Sequence, residues 1–287
     1  MTMDKRIIVT TDFSDSSFEA IRLGIELSGR ANLPLELVHV IDIPISLNIE
    51  DVKFNKERLD QGVKKLEGII DYIDEIRDAV SSMFKVLDDV DDELQIKGHI
   101  LSNKTPRELN RFFDVWNAEI VILGTNGKGQ SPLIGSFAQR LLSRTDISAI
   151  SIKSTSRSKL NKVLFASDFS ENDILIKAFD KLKAYSRAFQ FEIEAVRINT
   201  PINFLSTDKI NALFDSFAGK CEFDRQRLHS YNAFTVEEGV CSFAEMIDGD
   251  AIAVFSLGHR GIKKLFHHSF SNQIIQYSDI PVLTIKQ

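Results

Sequence analysis

Apolar residues come along this chain in short runs separated by charged, amphipathic stretches. Ile7-Ile8-Val9-Thr10 is a β-branched run that fits a strand buried on both faces. The stretch after it can be capped by Asp15 or Ser16 and places Phe18, Ile21 and Ile25 on one helical face. Gly29 and Asn32-Leu33-Pro34 end it, and Leu35–Ile41 reads as a second strand. Residues 55–87 carry Leu59, Val63, Leu66, Ile70 and Ile73 at spacings of three and four, a long charged helix. Gln95–Leu101 is a third strand, Thr105-Pro106 opens another helix, Ile120–Leu123 is a fourth strand and Ile147–Ile152 a fifth.

The pattern then starts again. "RIIVTTDFSDSSFEAI" at 6–21 matches "KVLFASDFSENDILIK" at 162–177, "LELVHVID" at 35–42 matches "IEAVRINT" at 193–200, and "TDISAISIK" at 145–153 matches "SDIPVLTIK" at 278–286. The offsets are 156, 158 and 133 residues, so the halves begin alike and the second lacks a middle segment. A period this long is a duplicated domain; solenoid repeats run roughly 20–50 residues. Strand–helix alternation in each half predicts a parallel, doubly wound five-stranded α/β sheet, twice over. The expected division is a first domain at 1–153, a linker at 154–161 and a second domain at 162–287. The closing strands, 147–152 and 280–285, are apolar edges that can pair with one another.

Composition narrows the function classes. The net charge of −6 lies wholly in residues 1–154, which carry 19 Lys+Arg against 25 Asp+Glu, and no basic stripe points to nucleic acid. No apolar run approaches the roughly 18 residues of a membrane span, and Ile7–Val9 is too short for a signal peptide. Cys221 and Cys241 have no CxxC spacing, so the expected setting is a reducing cytoplasm. GxSxG is absent and no catalytic residue is assigned. His259, His267 and His268 have no acidic or cysteine partner at ligand spacing, and the acidic 87–93 stretch lacks the turn glycine of a calcium loop, so no metal site is expected.

One stretch carries candidate chemistry: "VILGTNGKGQSPLIGS" at 121–136, where a strand runs into four glycines. Glycines let backbone amides approach phosphate oxygens, and a following helix start adds donors. The same spacing also serves a plain strand-to-helix turn, and Ser136 can either donate to a phosphate or cap the next helix. The loop fits neither GxxxxGK[ST] nor GxGxxG.

Together the repeat, "VTTDFS", "LVHVID" and "GTNG…GS" resemble the universal stress protein family, and the whole chain resembles its tandem members. The resemblance implies an adenine nucleotide (ATP, ADP or AMP, with or without magnesium) in the first half. It carries Thr10, Thr11 and Asp12 to the base and ribose, Val40 to the adenine, and Leu123, Gly124 and Gly127 to the ribose and phosphates. Gly135, Ser136 and Phe137 would close the far side. On the residues alone, Val40 is more readily a core residue, and Asp12 equally ties its own loop. The family's ATP-binding pattern has nine residues between its second and third glycines; here Lys128–Ile134 are seven, shorter by roughly 7 Å of extended chain.

In the second half "VFSLGHRGIKKLFHHSFS" at 254–271 puts Ser256 in place of the first glycine, His259 in place of the second and His268 in place of the last, so that half is expected not to bind. Three functions stand: a stress-response sensor binding a nucleotide, an interaction module of the same fold, and slow ATP hydrolysis. The resemblance also implies an intramolecular pseudo-dimer or a homodimer; the protein partner is not written in these residues.

Overall fold

The computed structural model describes residues 5–41, 78, 81–82, 85–86, 95–102, 105–125, 138, 140–142, 145–154, 159–170, 172–256 and 268–286. The first half contains β1 (Arg6–Thr11), α1 (Asp15–Ala31), β2 (Leu35–Ile41), β3 (Ile96–Ser102), α2 (Pro106–Val115), β4 (Ala118–Gly124) and β5 (Ser148–Ile152). The second contains β6 (Lys162–Ala166), α3 (Asp173–Phe189), β7 (Glu192–Asn199), α4 (Thr207–Cys221), β8 (Leu228–Asn232), α5 (Val236–Met246), β9 (Ala251–Phe255), α6 (His268–Tyr277) and β10 (Val282–Ile285). Of the helix expected over 55–87, Asp78, Ser81, Ser82, Lys85 and Val86 are described and are helical, with Val86 packed against the core; the rest of it, the acidic 87–93 stretch and the loop histidines His259 and His267 lie outside the described residues.

The strands form one ten-stranded sheet in the order β3-β2-β1-β4-β5-β10-β9-β6-β7-β8. Within each half every pairing is parallel. Between the halves β5 and β10 run antiparallel, Ile150 opposite Leu283. The chain is therefore two tandem doubly wound five-stranded sheets joined into a pseudo-dimer, and the two apolar closing strands cover one another's edges. In each half, strand order reverses at the first strand, between β1 and β4 and between β6 and β9. Crevices in such sheets open at that point, beyond the carboxyl ends of the strands.

Alternation along the strands divides the core into two layers. Ile7, Val9, Ile122, Ile150, Phe165 and Ile285 face a cluster shared with Ala20, Leu27, Phe179 and Phe217 of α1, α3 and α4. Ile8, Val121, Leu164, Val254 and Val282 face the other, with Leu109, Phe113, Phe243 and Ile274 of α2, α5 and α6. Both layers run through the junction. Arg30, at the end of α1, reinforces it: the guanidinium donates to the carbonyls of Leu160 (2.6 Å) and Phe189 (3.0 Å) and to Asn161 Oδ1 (2.7 Å). The buried Tyr185 hydroxyl crosses back to the Glu119 carbonyl at 3.0 Å.

Local details differ from the sequence expectation in two places. The N-cap of α1 is Ser14, one residue before the expected cap, because Ser14 has extended backbone angles and its carbonyl accepts from Phe18 N. Asn32 ends that helix in the left-handed conformation, as does Gln190 at the end of α3. The buried stripe of α1 runs through Ala20, Ile21, Leu23, Gly24 and Leu27, while Phe18 sits at its rim, 36% exposed. The change of offset from 156 to 158 has a structural cause. Both helices span 17 residues, yet α3 begins two residues later relative to its preceding strand, at the N-cap Asn172.

Candidate functional site

The loop after β1 is built by its own side chains. Asp12 Oδ1 accepts from Ser14 N (3.0 Å) and Ser14 Oγ (2.5 Å), and Phe13 N donates to Thr11 Oγ1 at 3.0 Å. Thr11 in turn donates to Ser17 Oγ at 3.0 Å, which fastens the strand end to the first turn of α1. This turn forces Phe13 to a φ of 56°, rare for a bulky side chain. Its ring then lies 4.8 Å from His39, whose Nδ1 donates to the Thr11 carbonyl at 2.7 Å.

The second half repeats this geometry. Ser170 N donates to Asp168 Oδ1 at 2.9 Å, Phe169 N to Ser167 Oγ at 3.1 Å, and Phe169 has the same φ of 56°. The shared Asp-Phe-Ser is thus a loop-forming device in both halves, with or without a glycine loop beside it.

Strand alternation separates the sequence-derived candidates onto two faces. Thr10 stands in register with Leu123 and with Val38, and Val40 lies two residues further along β2. Thr10, Leu123 and Val40 therefore share the face of the α2/α5/α6 layer, at neighbouring strand ends. Leu123 is buried (2% exposed), while Thr10 and Val40 are half-buried. Thr11 and Gly124 face the other way, under α1. Gly127, Gly135, Ser136 and Phe137 lie outside the described residues.

Gly124 has a packing reason to be glycine. A Cβ there would fall 2.6 Å from Ser16 Oγ and 2.7 Å from Ser17 N, closer than any side chain tolerates. The residue beside it, Thr125, donates from both N (2.8 Å) and Oγ1 (3.0 Å) to the Ile152 carbonyl.

That contact also corrects the expected alignment of the second half. Ser256 N donates to the Ile285 carbonyl, the equivalent of Ile152, so Ser256 corresponds to Thr125 and Phe255 to Gly124. Phe255 is buried in the layer shared with α1, α3 and α4, and α3 starts two residues later after its strand than α1 does, with Ile174 and Leu175 in its first turn where α1 has Ser16 and Ser17. His39 has Arg197 as its counterpart, 6% exposed, bonded to Asn199 Oδ1 (3.1 Å) and the Asn203 carbonyl (3.1 Å). Burial lowers the Arg197 pKa and the Asp168 charge opposes that shift. The second crevice therefore holds a guanidinium where the first has a His–Phe ring pair.

Sequence reasoning missed one paired feature at the outer strands. Glu36, 2% exposed, pairs with Arg6 and with His99 Nε2 at 2.6 Å, and His229 pairs with Glu194 at 2.8 Å in the second half. The equal spacing of Glu36 and Glu194 within the repeat was the available signal. Among the described residues no group of His, Cys, Asp and Glu is placed to hold a metal, and no helix is long and apolar enough to cross a membrane. Both cysteines are free.

Residues 3–153 match the model of the universal stress protein family, and the chain belongs to that family. No curated protein matches it. Among solved structures it is similar along its whole length to a universal stress protein from Archaeoglobus fulgidus DSM 4304, with 15% identity, 98% of each chain covered and a TM-score of 0.62. It is likewise similar to a putative universal stress protein from Pseudomonas aeruginosa UCBPP-PA14, with 11% identity, 99% of this chain and 94% of that one covered, and a TM-score of 0.62. At these identities the likeness bears on the fold.

Proposed function

We propose that the first half binds an adenine nucleotide and that the protein is a cytoplasmic stress-response sensor rather than a turnover enzyme. One observation carries this reading: half-buried Thr10 and Val40 and buried Leu123 share one face at the ends of three adjacent strands, next to the reversal point of the sheet. An aliphatic and hydroxyl-bearing platform there suits a flat base, and the loop that follows β4 supplies the glycines for a phosphate chain. Thr11 and Gly124 have a different role in this reading: they hold β1 and β4 against α1 and so fix the platform. Division at 1–153, 154–161 and 162–287 places the whole site in the first domain.

A second reading, an interaction module without nucleotide, is favoured by the packing explanation for Gly124 and the loop-tying explanation for Asp12. The two separate when freshly purified protein is denatured and its supernatant run against nucleotide standards. One nucleotide per chain supports binding; a clean supernatant together with no uptake of added ATP, ADP or AMP supports the module. Slow hydrolysis is checked by product formation above a protein-free blank, lost in Asp12→Ala.

A further inference from the structure

The second half turns large apolar side chains to water where β7 and β8 end. Ile202 is 92% exposed and Phe204 68%, both on the loop from β7 to α4, and Phe234, on the loop from β8 to α5, is 80% exposed. β7 and β8 are parallel neighbours with Asn199 opposite Asn232, so both loops leave the same end of the sheet. Single exposed apolar residues are ordinary, whereas several together mark a surface that a partner covers.

The loops hold these side chains outward by a hydrogen-bonded framework. Asn199, 6% exposed, donates through Nδ2 to the Leu205 carbonyl and to Asn232 Oδ1, each at 3.3 Å, and accepts at Oδ1 from Leu205 N at 2.9 Å. Arg197 donates to the Asn203 carbonyl at 3.1 Å, and Asn203 N donates back to the Thr200 carbonyl at 3.1 Å. Asn203 and Leu205 are thus tied down while Ile202 and Phe204, which alternate with them, are left outside. Phe204 precedes Leu205 and Phe234 lies two residues beyond Asn232, so one buried amide bonds beside both aromatic residues.

Charge selects the occupant. Asp208 stands in the first turn of α4, and Glu237 and Glu238 in the first turn of α5. Among the described residues of those two turns Lys209 is the one cation. Carboxylates there stabilise the helix starts, and they also set negative charge beside the apolar side chains. An anionic membrane surface would be repelled. A second copy docking patch to patch would bring like charges together, and the three side chains offer on the order of 500 Å², short of the roughly 800 Å² that each partner gives a stable complex of folded proteins.

We propose that Ile202, Phe204 and Phe234 form a docking surface for a short peptide segment of a partner protein, in which apolar or aromatic side chains stand beside Lys or Arg. The surface belongs to the second half and is independent of nucleotide binding in the first.

The test is selection of a random peptide library on the immobilised full chain, with Phe204→Ser/Phe234→Ser for counter-selection. Expected are peptides that combine Phe, Leu or Ile with Lys or Arg. A labelled peptide of that kind should bind the wild type more weakly as salt rises, and bind Phe204→Ser/Phe234→Ser about tenfold more weakly or worse. Asp208→Asn/Glu238→Gln should also weaken it, while Met246→Ser, an exposed apolar position at the far end of α5, should not. Should Phe204→Ser/Phe234→Ser lose the wild-type circular dichroism, Asp208→Asn/Glu238→Gln and the salt dependence carry the decision. No enrichment over the counter-selection, enrichment of acidic peptides, or a peptide that binds the folded aromatic variant as it binds the wild type would each overturn the proposal. So would self-association of the wild type, or its binding to phosphatidylglycerol vesicles, that disappears in Phe204→Ser/Phe234→Ser, since either gives the surface a different occupant.

Discussion

Gly124 and Ser16 meet where the end of β4 runs beneath the first turn of α1, so closely that a Cβ on Gly124 would lie 2.6 Å from Ser16 Oγ and 2.8 Å from its carbonyl carbon. A glycine that resembles part of a phosphate loop is thus required by packing whether or not phosphate ever binds. Gly124→Val should destabilise the protein by about 1–3 kcal/mol, through displacement of α1 against β4. Urea unfolding measures this. A wild-type midpoint in the variant would show that the contact relaxes at no cost.

Asp12 and Asp168 tie equivalent loops, each through the backbone amide two residues on. Their alanine variants should lose similar stability, about 1 kcal/mol each, although only the first half has the glycine loop. A much larger effect at Asp12 in nucleotide-free protein would mean that its carboxylate does more than form the turn.

The halves should unfold as one unit. The Arg30 guanidinium crosses from α1 to Leu160, Asn161 and Phe189. Arg30→Ala leaves two carbonyls short of a donor and should cost about 1–3 kcal/mol. It should also broaden the urea transition as the halves begin to part, a change visible in the slope as well as the midpoint.

Lys286 makes stability depend on pH in a direction fixed by the sign of its shift. Its pKa falls from 10.5 in the unfolded chain to about 8 in the fold, so below pH 8 both states are protonated and the fold carries the full cost of the buried charge. That cost is relieved as pH rises from about 8 to 10.5, where the unfolded chain binds the extra proton. Lys286→Met should be more stable than wild type at pH 7, by on the order of 1–3 kcal/mol, and the margin should narrow by pH 10. Thermal melts at several pH values read this; a margin that does not move with pH would contradict the assignment.

Much of this architecture was legible because hydrophobic periodicity and duplication are properties of the chain itself. The match of 145–153 with 278–286 marked the two strands that close each half, and these are the strands that pair at the junction. Residue roles at the site were less legible. The alternation that puts Thr10 and Val40 on one face and Thr11 and Gly124 on the other depends on register, and register came only with the strand pairs. The alignment that placed Ser256 at the first glycine was off by one for the same reason: the Ile285 carbonyl, and not the count of residues, fixes Ser256 opposite Thr125. The burial of Lys286 was not legible, because nothing in "LTIKQ" shows that the sheet continues past it on both sides.

The central claim, that the first half takes an adenine nucleotide, is tested most directly by calorimetric titration of the intact chain with ATP, ADP and AMP, with and without magnesium, beside Gly127→Val. Gly127 serves as the probe because substitution at Gly124 disturbs the fold itself. The account predicts saturable binding of at least one of the three at one site per chain, lost in Gly127→Val while its circular dichroism stays that of the wild type. A folded, nucleotide-free protein that gives no heat with any of them would contradict it and leave the stretch 121–136 as a strand turning into a helix.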